Sequence, residues 1–513
     1  MEATQKPLKL NVKRTMLIGF AFFGILLLWQ VYDSWSPTFL SELFAKAMPT
    51  LYEGKTYLQW RAINDVSLYG ADAVDKAIKM CNSIIEDQQY LVGIMMAIDN
   101  LAALILLPIF GMISDKTHTK IGKRMPYILV GTFACSIAFP FIPVLFHYNS
   151  VAGVIAMMAI VVLFAMMYRN PAVALMPDIT PKPLRSKANG IINIMGYIGG
   201  AFATVVGIVF VLSQYLGTAT VKDSTTGLVS YKTYTWTHSN IWAIELPFII
   251  ASVLMLVSAV VLFFTIKENK VAEEVKEDMV RGELEAEVID AVSEDKPMSK
   301  ANKAMLIFIL AAEFFWFMAD NGIGTFMGNY TVYFLGAESS GNMINTIVGG
   351  IGSVAGFAIG GIIASKITRK WTLIGGLGLT GVAYALWLIL TFTAIVPHSG
   401  NFPFWIYIIW FVKGFGMSLV HVNSFPMVVE LCPNSKIGRF TGFYYAASML
   451  AQTITPIALG ALLLHPDFSW QLLPVYALAC IVIATIIFFF VKNVKNKKTS
   501  FSKGLDALGE ADD

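Results

Sequence analysis

Apolar residues along the chain gather into twelve long runs separated by polar stretches, covering roughly 14–40, 88–113, 125–147, 151–176, 187–214, 240–266, 303–335, 341–365, 371–395, 402–431, 439–464 and 470–492. Each run is about 20 residues or longer, enough for a helix to cross the hydrocarbon core of a bilayer. Only a helix satisfies its own backbone polar groups across that depth, so the pattern predicts twelve transmembrane helices. The first run continues to Leu40 without a short apolar core and small-residue cleavage site, and is expected to remain as a membrane helix.

Composition agrees. At 513 residues, 56% hydrophobic and 14% charged, the chain has too few polar residues to cover a globular surface of its size. It reads as an all-α polytopic membrane protein. The basic residues recur in every second connection: Lys116, Lys120, Lys123 and Arg124; Lys182, Arg185 and Lys187; Lys366, Arg369 and Lys370; Lys436 and Arg439; and the tail with Lys492, Lys495, Lys497 and Lys498. Positive charge is retained on the cytoplasmic side during insertion, so both termini are expected there, in a plasma (inner) membrane protein. The net charge of +3 is thereby assigned to topology and gives no support to nucleic-acid binding.

Two connections are long. Residues 41–87 hold seven acids against five bases, as expected outside, and serve either as a cover over the outer mouth or as a plain tether. Residues 267–302 are acidic and helix-forming, a cytoplasmic linker that divides the spans six and six. The expected organisation is therefore an N-terminal bundle over 1–266, the linker, a C-terminal bundle over 303–492 and a cytoplasmic tail over 493–513. Cys81, Cys135, Cys432 and Cys480 have no metal-ligand or CxxC spacing, and neither a metal nor another cofactor is expected.

The two halves repeat each other. Asp178-Ile-Thr-Pro181, with Arg185 and Gly190, matches Glu430-Leu-Cys-Pro433, with Arg439 and Gly442, at one constant offset. Gly111-Met-Ile-Ser-Asp115-Lys116 matches Gly361-Ile-Ile-Ala-Ser365-Lys366, and Asp33-Ser-Trp-Ser-Pro-Thr38-Phe39 matches Asp320-Asn-Gly-Ile-Gly-Thr325-Phe326. Matches in corresponding helices predict two parallel six-helix pseudo-repeats around a midplane site.

Charge inside hydrocarbon costs at least about 2.5 kcal/mol and faces a cavity or a partner, so polar residues within spans mark the candidate chemistry. Asp99 lies about 24 Å from Asp115 along one helix, with no neighbouring base, and suits a proton carrier. Arg169 and His421 fall at equivalent depths in the repeats, where a donor fork and an imidazole can hold ligand oxygens. Asp33, with Gln30 and Tyr32, and Asp320, with Asn321 and Trp316, offer acceptors beside aromatic faces, as a polyol requires. Asn170 adjoins Arg169. Glu313 is a second candidate for proton coupling, and Lys413 can balance either Glu313 or Asp320. Asp115, Arg124, Asp178, Arg185, Glu430 and Arg439 stand at cytoplasmic helix ends, where ion pairs can hold an inner gate.

The run Gly349-Gly-Ile-Gly352-Ser-Val-Ala-Gly356-Phe-Ala-Ile-Gly360-Gly361 lies in an apolar span without a preceding strand or a GK[ST] ending, and reads as close helix packing. Motifs for nucleophilic, metallopeptidase or paired-carboxylate catalysis do not occur, which argues against an enzyme.

Gly111-x-x-x-Asp115 followed by Gly122-Lys-Arg resembles the signature loop between the second and third helices of the major facilitator superfamily. Gly122-Lys-Arg-Met-Pro126 is also similar to the loop of its glycoside-pentoside-hexuronide:cation symporters and sucrose-transporter branch. Tyr168-Arg-Asn-Pro171-Ala-Val-Ala-Leu-Met-Pro-Asp178, then Arg185-Ser-Lys-Ala-Asn189-Gly190, is similar to the fourth-to-fifth helix region of the sucrose-transporter-like proteins. The resemblance implies the major facilitator fold and symport of a disaccharide or glycoside with a cation. One departure bears on the cation: where melibiose-permease-like sodium symporters carry two acids in the second helix, this chain has Ala103 and Leu107. Asp99 is left as the nearest carboxylate, which favours a proton. Sodium coupling, an uncoupled facilitator or exporter of another small solute, and a non-transporting sugar sensor on the same fold stay open.

Overall fold

The computed structural model describes residues 8–48, 51–216, 220–222, 229–231, 241–291, 299–431, 437–465 and 467–492. Among the described residues, twelve helices are long and apolar enough to span a membrane. They are α1 (Val12–Ala47), α2 (Gln89–Asp115), α3 (Met125–Ala138, carried on by Phe141–His147), α4 (Val151–Asp178), α5 (Arg185–Val209), α6 (Ile241–Thr265), α7 (Lys300–Asn329), α8 (Ser339–Ile367), α9 (Arg369–Thr393), α10 (Phe404–Leu431), α11 (Ile437–Leu462) and α12 (Leu472–Phe489). Each corresponds to one apolar run, within a few residues at most ends. Short side chains start several of them: Asn11, Ser150 and Ser299 each accept a hydrogen bond from a backbone N–H of the first turn. A hairpin of β1 (Thr220–Lys222) and β2 (Val229–Tyr231) lies in the connection between α5 and α6.

The helices make two hydrophobic cores. One is built on α1–α6 and includes Phe248, with Phe39 stacked on its ring and Phe139 tilted against it. The other is built on α7–α12 around Trp316, Tyr384 and Trp387. The glycine run of α8 serves close packing. A Cβ on Gly352 or Gly356 would collide with Phe411, Phe415 or Ser418 of α10, so the two helices touch backbone to backbone.

The connection between the first two runs is mostly helical. α1 continues to Ala47, and short helices Tyr57–Arg61 and Val66–Tyr69 precede a longer one, Ala71–Asp87, that runs almost directly into α2. The last is amphipathic, with Val74, Ala77, Ile78, Cys81, Ile84 and Ile85 buried at helical spacing. Tyr57, Trp60, Ala77, Cys81, Ile84 and Ile85 join the core of the C-terminal half, so this segment straps one half onto the other.

The acidic linker is also anchored. Helix Glu268–Glu274 and helix Lys276–Ala291 place Val271 and Val275 in the N-terminal core. The segment 292–298 and the tail from 493 lie outside the described residues.

Candidate functional site

Polar side chains at mid-depth form two groups related by the repeat. In the N-terminal half, Arg169 on α4 lies within electrostatic reach of Asp33 on α1, and Asp33 is exposed although it stands in the middle of a spanning helix. The neighbouring Tyr32 points the other way: it is fully buried, and its hydroxyl donates to Asp99 Oδ2 of α2 at 2.5 Å. Trp29 packs edge-on against the Tyr32 ring at 5.6 Å. Gln30 donates to the Ser34 hydroxyl at 3.1 Å, one turn along α1.

In the C-terminal half, Asp320 on α7 forms an ion pair with Lys413 of α10 and lies within electrostatic reach of His421 on the same helix. The His421 ring packs against Phe317 at 5.4 Å. Asn321 is partly exposed beside this group. Asp33 and Asp320 both stay partly accessible although they stand in the middle of spanning helices.

Other candidates are placed differently. Asn170 turns its amide onto the Leu107 carbonyl of α2, beside Gly111, where a Cβ would come within 2.8 Å of the Asn170 amide nitrogen; it stitches α2 to α4. Trp316 is fully buried and packs against Phe488 of α12. Glu313 is fully buried two turns before Asp320, apart from Lys413.

Among the described residues, Asp115, Arg124 and Asp178 form one network at the basic face of the N-terminal half. Arg124 is 5% exposed and donates to Asp178 Oδ2 at 2.8 Å, to the Ser114 hydroxyl and to Asp115, joining the ends of α2 and α4 to the start of α3. Burial works against its charge, but Asp178 and Asp115 outweigh that and hold its pKa above the ordinary arginine value. Lys123 adds an ion pair to Asp178 at 3.1 Å. Arg185 donates instead to the carbonyls of Thr180 and Pro177, at 3.1 and 3.0 Å, closing the end of α4. The side chains of Glu430 and Arg439 lie outside the described residues.

Sequence reasoning passed over the residue that completes this network. Glu268, buried at the start of the linker, accepts from the backbone N–H groups of Lys123, Arg124 and Met125 at 2.9 to 3.1 Å and so caps the N-terminus of α3. Gly122 must be glycine for two reasons: its φ is +123°, and a Cβ there would collide with the Glu268 carboxylate.

The halves are joined by hydrogen bonds at the opposite face. Asn329, at the end of α7, accepts from Thr38 at 2.9 Å and donates to Ser41 at 2.9 Å and Gln89 at 3.0 Å. Tyr333 and Tyr57 both donate to the buried Glu42, and Ser213 meets Ser339. At the rim, Asn82 of the strap pairs with Nδ1 of His398 at 2.9 Å, with the amide as donor.

This rim contact sets a pH dependence. Burial, reinforced by Lys79, pushes the His398 pKa down from 6.5 to about 4, against a smaller opposing effect of Asp75. A depressed folded-state pKa means the contact is intact above the unfolded value and is lost as pH falls from 6.5 through about 4, when an imidazolium no longer accepts from Asn82. Protection factors of the strap amides, with the intrinsic pH dependence of exchange divided out, are expected to fall as pH drops across that window in the wild-type protein and to stay constant in His398→Gln.

A profile of the family described as Major Facilitator Superfamily matches residues 84–367 and 309–508. No curated protein matches the sequence. Solved structures with this fold include the xylose transporter XylE from E. coli in an inward open conformation, 13% identical, covering 97% of this chain and 98% of its own, with a TM-score of 0.60. The peptide transporter POT in complex with sulfate is 14% identical over 93% of each chain, with a TM-score of 0.55. A bacterial homolog of the human lysosomal transporter Spinster is 14% identical, covering 94% of this chain and 96% of its own, also with a TM-score of 0.55.

Proposed function

The chain belongs to the major facilitator superfamily, so it is a multi-pass membrane transporter and not an enzyme, and we propose that it carries a disaccharide or glycoside together with a proton by alternating access. The observation that supports this most is the pair of polar groups within spanning helices, Asp33 with Arg169 and Asp320 with Lys413 and His421, one on each half. Hydroxyl groups of a polyol both donate and accept, so such a ligand can bond carboxylates and cations of both halves at once and draw them together. Solved neighbours include transporters of xylose and of peptides, so likeness of fold leaves the substrate class to the site.

Asp99 takes the proton. Its ionised form accepts a short charge-assisted bond from Tyr32, and its neutral form holds that hydroxyl more weakly. Tyr32 is adjacent to Asp33, so protonation in the interior changes the turn of α1 that presents Asp33 to the substrate. The two halves rock about the seam at Asn329, while the Arg124–Glu268 network keeps the basic ends of α2, α3 and α4 together as one unit. The basic face is the cytoplasmic one, with both termini, in the plasma membrane.

Proteoliposomes with an imposed inside-alkaline pH gradient test the substrate class, using labelled sucrose, maltose, an aryl glucoside and a dipeptide. Accumulation of one of the three glycosides is expected. Accumulation of the dipeptide alone would contradict the reading.

A further inference from the structure

We propose that Glu313 is a second proton-binding site in the membrane, emptied and refilled in each cycle, so that two protons accompany each substrate; this rests on the symport reading above. Glu313 is 0% exposed, and neither carboxyl oxygen has a hydrogen-bond partner. The base that could have balanced it, Lys413, is held by Asp320.

The helices packed against α7 are α12, α11, α1, α10 and α8. From α11, Tyr444 is within electrostatic reach of Glu313, and its hydroxyl shares a 2.8 Å hydrogen bond with Ser424 of α10. α10 also brings Lys413 and His421, both directed to Asp320. α12 brings Tyr476, bonded to Thr455, and Cys480. α1 brings Asp33, near Arg169, and Glu42, held by Tyr57 and Tyr333. α8 has Lys366 at its basic end, far along the helix from this depth.

A carboxylate without a donor inside hydrocarbon is among the least tolerable states of a protein group, so in this arrangement Glu313 holds its proton on one oxygen. It can give that proton to water only if the packing of α7 against α11 opens. The same rocking that exposes the substrate site to the other face supplies that opening, and the Tyr444–Ser424 hydroxyl pair, within electrostatic reach of Glu313, offers polar atoms to receive water. A proton that leaves only after the halves have moved is a carried proton. Asp99 in the other half carries its own, beside its own tyrosine.

Two measurements on the purified full-length protein test this. In proteoliposomes loaded through sucrose or maltose, the logarithm of accumulation at zero net flux is plotted against imposed membrane potential. The slope in Glu313→Gln is expected to be half that of wild type, because the neutral isostere fits the site but carries no proton. An unchanged slope would overturn the proposal. Infrared difference spectra between low and high pH, recorded in the Asp99→Asn background so that Asp99 gives no carboxylic acid band, are expected to show a buried carboxylic acid band that Asp99→Asn/Glu313→Gln lacks; persistence of that band in the double variant would also overturn it. A wild-type slope of zero would refute proton symport itself, and the infrared band would then decide Glu313 alone.

Discussion

Asp99→Asn is expected to lower proton-driven accumulation by a factor of several hundred while leaving binding and substrate exchange in place. One charge crossing a membrane potential of about 150 mV gains roughly 3.5 kcal/mol, which corresponds to several-hundred-fold accumulation, and this is what a lost proton site forfeits. The variant should fold, because the Asn carbonyl oxygen can accept the Tyr32 hydroxyl in place of Oδ2. Uphill uptake and counterflow measured on the same proteoliposomes separate the two effects. Loss of both uptake and counterflow would indicate a structural defect, and uphill accumulation undiminished from the wild-type level would remove Asp99 from the coupling path.

The second large effect is expected at the seam. Asn329 and its three partners Thr38, Ser41 and Gln89 are all at most 2% exposed, so Asn329→Ala strands buried donors and acceptors that no water reaches. At about 1 kcal/mol or more for each lost bond, the closed arrangement at this face should weaken by about 3 kcal/mol, roughly a hundredfold change in its population. Spin labels at Tyr148 and Val396, exposed positions beyond α3 and α9, should report a longer inter-half distance in the variant. An unchanged distance distribution would mean that apolar packing of the strap, rather than the Asn329 bonds, holds this face shut.

Much of the architecture was legible in the chain because a bilayer imposes a strong rule: twelve spans need twelve apolar runs, and the repeat of Asp178–Gly190 in Glu430–Gly442 aligns the halves. That alignment also places Arg169 near Asp33 and His421 near Asp320, since equivalent helices in parallel bundles meet at equivalent depths. What periodicity could not choose was a partner between two turns of one helix. Glu313 and Asp320 are seven residues apart and share a face, so either could have met Lys413 until the approach of α10 was known.

Charge at the helix ends was likewise ambiguous. The residues at the basic face were readable as a gate between halves, yet Arg124 joins helices of a single half. Glu268 left no local signal at all, because it caps a helix some 140 residues earlier in the chain. The strap was legible in principle, since the buried positions of Ala71–Asp87 recur at helical spacing. Its mixed charge made it read as a loop, and only contact with the C-terminal core shows what its apolar face covers.

The most direct test of the account is external pH in a weakly buffered suspension of energy-depleted cells making the protein, followed after pulses of sucrose, maltose and other glycosides. Transport of sugar with protons predicts a transient alkalinisation on addition of one of them, absent in cells without the protein. A flat trace for every glycoside, with folded protein demonstrated in the membrane, would contradict sugar–proton symport.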